Sequence, residues 1–197
     1  MIRLPNSDLE VHPLCLGGNV FGFSADVANS EAVLDYYFDN GGNFIDTADM
    51  YSQWAPGHVG GESETIIGNW MKRRGNRAKM IIATKVAKLD TRPGLKPENI
   101  KAACEDSLSR LQTDYIDFYY AHQDDLDTPI EETLGAFSEL INSGKVRYIA
   151  ASNFTPSRLQ ESLDIAKKLG LHPYIASQDQ YNLMDRDYEK TLMPTLK

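Results

Sequence analysis

The chain has 197 residues, 42% of them hydrophobic and 24% charged, with a formal net charge of −8. That supplies one domain with a buried core and excludes disordered and fibrous classes. The acidic balance argues against nucleic-acid binding, which needs basic side chains to displace counterions, and against docking on an anionic membrane.

Residues 1–11 read as a small hairpin turning at Asn6-Ser7-Asp8. The first strand of a repeating pattern is expected over 12–16, closed by Gly17-Gly18. A helix follows over 30–38, with Ser30 as its N-cap and Gly41-Gly42 as its stop. The second strand covers 43–46 and the second helix 63–73, with cations in the last turn and Gly75 after it. The third strand, 80–85, is a continuous apolar run, the pattern of a strand buried on both faces. A helix begins at Pro97, a favoured first helical residue, and reaches Leu111. A strand over 115–121, a helix over 129–142 ending at Gly144, and a strand over 146–151 come next. The fifth helix is capped by Thr155, opens on Pro156 and ends near Gly170. A sixth strand over 174–178 and a sixth helix from Asp187, still running at Lys197, complete the pattern.

Strict alternation of strand and helix predicts a parallel sheet with helices packed outside it. A dinucleotide-binding open sheet carries G-x-G-x-x-G after its first strand, whereas this turn reads Gly17-Gly18-Asn19-Val20-Phe21-Gly22. A (β/α)8 TIM barrel is therefore expected. Such a barrel has eight strands and roughly 250 residues. About six β/α units are legible, so residues 1–197 are read as a single incomplete barrel domain belonging to a longer enzyme. By themselves they are expected to be poorly stable or to associate, and the oligomeric state stays open.

Cys15 and Cys104 form no metal-type or redox spacing and read as buried apolar side chains. No metal site is expected. The N-terminal residues carry no signal-type apolar run, and no stretch approaches the roughly 18 apolar residues of a membrane span, so a cytoplasmic location is expected.

The strands end in polar residues that a parallel barrel brings to one rim, the face where barrel active sites lie. These are Asp46 with Tyr51 five residues on, Lys85, His122, Ser152-Asn153, and Gln178. Singly, each has an ordinary role: an ion pair, a loop aromatic, a histidine with satisfied partners, a turn. Together they make an acid for a developing oxyanion: Lys85 is expected to lower the Tyr51 pKa, Asp46 to hold Lys85 charged, and His122 to donate to a carbonyl oxygen.

Asp46-Thr47-Ala48-Asp49-Met50-Tyr51, Ala83-Thr84-Lys85, His122, Ser152-Asn153-Phe154 and Gln178-Asp179-Gln180-Tyr181-Asn182 resemble aldo-keto reductase motifs, in order. So do Leu14-Cys15-Leu16-Gly17-Gly18 and Gly60-Gly61-Glu62-Ser63-Glu64. The resemblance covers essentially the whole chain and is strongest to the bacterial-type and potassium-channel-β-like branch. It implies reduction of an aldehyde or ketone, a small carbonyl substrate, with NADP(H) as cofactor. Tyr51 would be the general acid, tuned by Lys85 and Asp46, with His122 orienting the carbonyl. Ser152, Asn153 and Gln178 would hold the nicotinamide carboxamide, with Gly18, Asn19 and Val20 touching the cofactor near the nicotinamide. Phe21, Trp54 and the loop at Pro56-Gly57-His58 would line the substrate pocket. The alternative is a catalytically idle relative acting as a binding or regulatory subunit, or a truncated remnant.

Overall fold

Two stretches, Ile81–Val86 and Ile116–Ala121, are buried at every position. A strand can be apolar on both faces only when both are covered, and in a computed structural model of the chain, which describes residues 1–196, both are. They are β5 and β6 of a parallel sheet that also contains β3 (Leu16–Gly17), β4 (Phe44–Asp46), β7 (Val146–Ser152) and β8 (Ser177–Gln178). The spatial order is the sequence order, β3-β4-β5-β6-β7-β8. A doubly wound sheet reverses its order at a switch point. This one never does, so it curls in one direction as part of a (β/α)8 barrel.

Five helices connect the strands: α1 (Val27–Asp39), α2 (Glu62–Arg74), α3 (Pro97–Leu111), α4 (Ile130–Asn142) and α5 (Pro156–Leu169). They pack Leu34, Ile67, Trp70, Ile100, Leu134 and Phe137 onto the outer face of the sheet. A second, smaller core lies inside the curl, where Ile81, Ala83, Phe118, Tyr120 and Ala150 meet Leu9 and Val11. The hairpin of β1 (Ile2–Arg3) and β2 (Glu10–Val11) thus plugs the end of the curl from which the strands start.

Several local boundaries differ from expectation. The first strand is shorter than 12–16 because its leading N–H groups have other partners: His12 donates to Asn43 Oδ1 and Leu14 to His12 Nδ1. Helix α1 starts earlier, capped by Asp26, whose carboxylate accepts the N–H of Asn29; Ser30 lies inside the helix and donates to the Ala25 carbonyl. The ladder of β8 is shorter than 174–178. The expected terminal helix is two 3-10 turns, Asp187–Glu189 and Met193–Leu196, because Pro194 cannot donate to, or fit beneath, a continuing α-helical turn. Its expected end, Lys197, lies outside the described residues. Asp124 and Asp125 tie down the loop after β6: Asp124 pairs with Arg158, and Asp125 accepts from Leu95 N and Thr128 Oγ1. Cys15 is half-buried and Cys104 buried, and both thiols are free. Among the described residues no helix is long and apolar enough to cross a membrane.

The lower part of the sheet is locked by one buried carboxylate. Asp117 on β6 is 1% exposed and accepts from Arg77 (2.8 Å), Arg147 (2.9 Å) and the Ile82 N–H (3.0 Å). Arg147 extends the network to Asp8 of the hairpin. Removing one partner of a buried ion pair strands the remaining charges. Asp117→Ala is therefore expected to cost about 3 kcal/mol, read as a lower urea midpoint; a change below about 0.5 kcal/mol would show that the network closes nothing.

Candidate functional site

Side chains of a strand point alternately to its two faces. In this sheet Ile81 and Ala83, Phe118 and Tyr120, and Ala150 face the inner core. The same parity carries Lys85, His122 and Ser152 inward one step further on, and the register pairs Asp46 with Ala83 and Ser152 with Gln178. The polar strand ends are thus a continuation of the inner face beyond the apolar plug.

Lys85 is at the centre and only 1% exposed. Its ammonium donates to Asp46 Oδ2 at 2.7 Å, to the Thr47 carbonyl at 2.8 Å and to the Tyr51 oxygen at 2.9 Å. All three donors of the group are used. Tyr51 in turn donates to Asp46 Oδ2 at 3.3 Å, longer than an ordinary hydroxyl bond. The His122 ring lies 6.1 Å from the Tyr51 ring, centroid to centroid. Asp46, Tyr51, Lys85 and His122 are therefore brought together.

The electrostatics depart from expectation at Tyr51. Lys85 was expected to pull its pKa down; instead burial, and then the charge of Asp46 and the hydrogen bond to it, push it above the ordinary 10.0. The Lys85 charge is already matched by Asp46, leaving burial to dominate. Lys85 itself is lowered by burial against the opposing pull of Asp46. Burial, with Lys85 nearby, brings His122 down to about 3. At neutral pH the site accordingly holds a neutral phenol and a neutral imidazole. The Nδ1 atom of His122 is buried without a partner among the described residues.

On the far side of the mouth, Gln178 donates to Asp46 Oδ1 at 3.2 Å. Asn153, at φ 58°, donates through its side chain to the His122 carbonyl (2.8 Å) and to Ser152 Oγ (2.9 Å). Gln178 thus sets its amide against the Asp46 carboxylate, while Asn153 and Ser152 bond to each other beside the His122 backbone. Gly18 is held by its N–H to the Asp46 carbonyl (2.7 Å) and by Ser63 Oγ donating to its own carbonyl (2.8 Å); a Cβ there would come within 2.9 Å of Ser63 Oγ. Asn19 and Val20 follow it onto the exposed rim.

Phe21 does not line a pocket. It is 1% exposed and belongs to the outer core. The turn from Val20 to Phe23, closed by Phe23 N–H to the Val20 carbonyl, passes through Gly22 at φ +77°, so Phe21 turns inward and Phe23 out. Phe23 packs edge-on against Trp54 at 5.9 Å, and Trp54 against Tyr51 at 6.2 Å. Phe23, missed from the sequence, is the exposed ring of this turn and the one that packs against Trp54.

A second residue escaped notice. Asp49, between Asp46 and Tyr51, is 1% exposed, and neither carboxylate oxygen has a partner among the described residues. Burial, then the neighbouring Glu64 carboxylate, raises its pKa from 3.8 to about 7, opposed by Arg110 and Arg92. A carboxyl protonated in the native state more readily than in the unfolded chain stabilises the fold below its unfolded pKa. That stability is lost as pH rises through the native value. From about pH 4 to 7 the loss is on the order of 4 kcal/mol. Asp49→Asn is expected to flatten this fall, measured as urea midpoints from pH 4.5 to 8; parallel curves for the two proteins would contradict it.

The profile of the Aldo/keto reductase family matches residues 13–197. The chain is 36% identical over 212 residues to Protein tas of Escherichia coli, covering 95% of this chain and 61% of that protein. It is 36% identical over 203 residues to the uncharacterized oxidoreductase YrpG of Bacillus subtilis, covering 98% and 61%. Against norsolorinic acid reductase B of Dothistroma septosporum the identity is 32% over 207 residues, covering 96% and 51%. The chain thus spans between half and two-thirds of the length of these relatives. With the family's profile met along nearly all its length and the polar strand ends gathered on one rim, this chain belongs to the aldo/keto reductase family.

Proposed function

We propose that the chain carries the catalytic half-site of an NADPH-dependent carbonyl reductase that converts an aldehyde or ketone to the alcohol. The observation that carries this reading is the contact of one buried ammonium, Lys85 Nζ, with both the Asp46 carboxylate and the Tyr51 oxygen. The relatives support it: one bears the name of a reductase, another that of an oxidoreductase, and a protein of Pestalotiopsis microspora, 33% identical, is named an aryl-alcohol dehydrogenase.

NADPH, when bound, supplies a hydride to the carbonyl carbon. Ser152, Asn153 and Gln178 would hold the nicotinamide carboxamide, and Gly18, Asn19 and Val20 would border it. The carbonyl oxygen accepts hydrogen bonds from the neutral His122 imidazole and from the Tyr51 hydroxyl. As negative charge grows on that oxygen, the Tyr51 proton passes to it, and the alcohol is complete. The elevated pKa of Tyr51 keeps the phenol protonated until it is needed. Lys85, already donating to the Tyr51 oxygen, stabilises the phenolate left behind. Solvent returns the proton to Tyr51 after the alcohol leaves. Cys15 and Cys104, both free thiols, suit a reducing compartment, and the reading makes this a cytoplasmic enzyme.

The test is NADPH oxidation with 4-nitrobenzaldehyde, followed at the nicotinamide absorbance. A general acid is worth roughly 100- to 10,000-fold. Tyr51→Phe keeps the ring and removes the proton, so kcat should fall at least about 100-fold while NADPH binding, by fluorescence titration, is retained. NADPH binding without turnover in the unaltered chain would indicate an idle relative, and activity surviving Tyr51→Phe would remove Tyr51 from the mechanism.

A further inference from the structure

The stretch Gly60-Gly61-Glu62-Ser63-Glu64 takes no part in the proposed reaction, yet it packs against the turn that carries Asp46 and Tyr51. Glu62 opens α2 and turns its carboxylate back onto the N–H groups of Val59 (2.8 Å) and Gly60 (3.0 Å). A Cβ at Gly60 would meet the Asp49 carbonyl at 2.8 Å, so the two backbones touch there. Glu64, fully buried, accepts from Thr84 Oγ1 at 2.5 Å and from Arg110 Nε at 2.6 Å. Thr84 precedes Lys85 on β5, so the first turn of α2 is fixed to the strand that supplies the ammonium. Between these anchors stands Ser63. Its hydroxyl donates to the Gly18 carbonyl at 2.8 Å and accepts from Thr47 Oγ1 at 2.9 Å. We propose that Ser63 is a positioning residue for the reaction. Its hydroxyl sets the spacing between the turn at Gly18, beside the nicotinamide, and the turn at Thr47, which leads to Tyr51.

The link forms a closed circuit. The Gly18 N–H donates to the Asp46 carbonyl at 2.7 Å, so Gly18 is joined to residues 46–47 twice, once directly and once through Ser63. Thr47 has a second tie, since its carbonyl accepts from Lys85 Nζ at 2.8 Å. The link is also sealed from water. Thr47 and Ser63 are both fully buried, so solvent cannot replace a partner that is removed. Without the Ser63 hydroxyl, the Thr47 hydroxyl keeps a donor with no acceptor. The packing leaves little slack. A Cβ at Gly18 would lie 2.9 Å from Ser63 Oγ and 3.4 Å from Ile67 Cδ1, so the turn sits directly on the hydroxyl. Truncating Ser63 opens a gap into which that turn can move. Hydride and proton must reach the two atoms of one carbonyl, and a misplacement of about 1 Å can cost on the order of 100-fold in rate.

This inference rests on the proposed reaction and on the cofactor lying against residues 18–20, so one arm of its test needs neither. In 13C,15N-labelled protein without cofactor, Thr47→Val should shift the Gly18 carbonyl resonance, although the Thr47 hydroxyl bonds to Ser63 and not to Gly18. The same change made in a Ser63→Ala background should leave that resonance in place. In assays with NADPH and 4-nitrobenzaldehyde, Ser63→Ala and Thr47→Val should each lower kcat about 10- to 100-fold, with KM for the aldehyde little changed. The double variant should fall no further than the worse single one, because both break one link. Ser63→Cys, similar in size with a weaker donor, should lie between serine and alanine. Thr65→Val removes a hydroxyl from the same turn of α2, one bonded to the Gly61 carbonyl, and should keep kcat. A Gly18 resonance that ignores Thr47→Val, or moves equally in both backgrounds, overturns the link. Turnover in which Ser63→Ala matches Thr65→Val, or in which the single losses multiply in the double variant, overturns the positioning role and leaves the reaction standing. A linked resonance without turnover in the unaltered chain supports the link and contradicts the reaction.

Discussion

An ammonium group held out of water governs the rest of this site. An ionised lysine in a low-dielectric interior is strongly unfavourable unless every donor is matched. Lys85 is matched three times, by Asp46, the Thr47 carbonyl and Tyr51. These partners come from β4 and the loop that follows it, so the ion pair and the shape of that loop are set together. Asp46 is held in turn by Gln178 from the far end of the sheet, a link across 132 residues of sequence. Gln178 thereby ties β8 to the ion pair, although the partners of Lys85 itself all lie on β4 and its loop.

From this constraint the protonation states follow. Because Asp46 already balances Lys85, little positive field remains to draw the proton from Tyr51, and burial keeps the phenol intact. His122 is held neutral by the same burial and by the Lys85 charge. Asp49, one turn away, is a buried acid without the compensation that Asp46 enjoys, and it rises accordingly.

Much of this was legible in the sequence because it is periodic. Apolar runs such as Ile81–Val86 announced strands covered on both faces, and the first polar residue after each run marked the rim. Thr155-Pro156 and Gly170 bounded α5 where the structure places it. What escaped depended on single torsions or on burial. Nothing in the order of residues says that Gly22 adopts a positive φ, in a turn that buries Phe21 and leaves Phe23 exposed. Asp26 and Ser30 are both good N-cap residues, and the choice between them was made by the tertiary position of the turn. Asp49 looks like loop polarity until Glu64 and the surrounding helices are seen to enclose it. The expected direction of the Tyr51 shift reverses because the phenol is buried, which the order of residues does not show, and because the Asp46 charge acts on Tyr51 as well as on Lys85.

The most direct measurement of this account is the titration of Tyr51 by NMR in protein labelled with 13C at tyrosine Cζ, its resonance assigned by loss in Tyr51→Phe. The balance between Lys85 and Asp46 predicts a phenol signal unchanged up to and beyond pH 10, moving to lower pH once Asp46→Asn frees the ammonium field. A phenolate signal emerging well below pH 9 with Asp46 intact would contradict it.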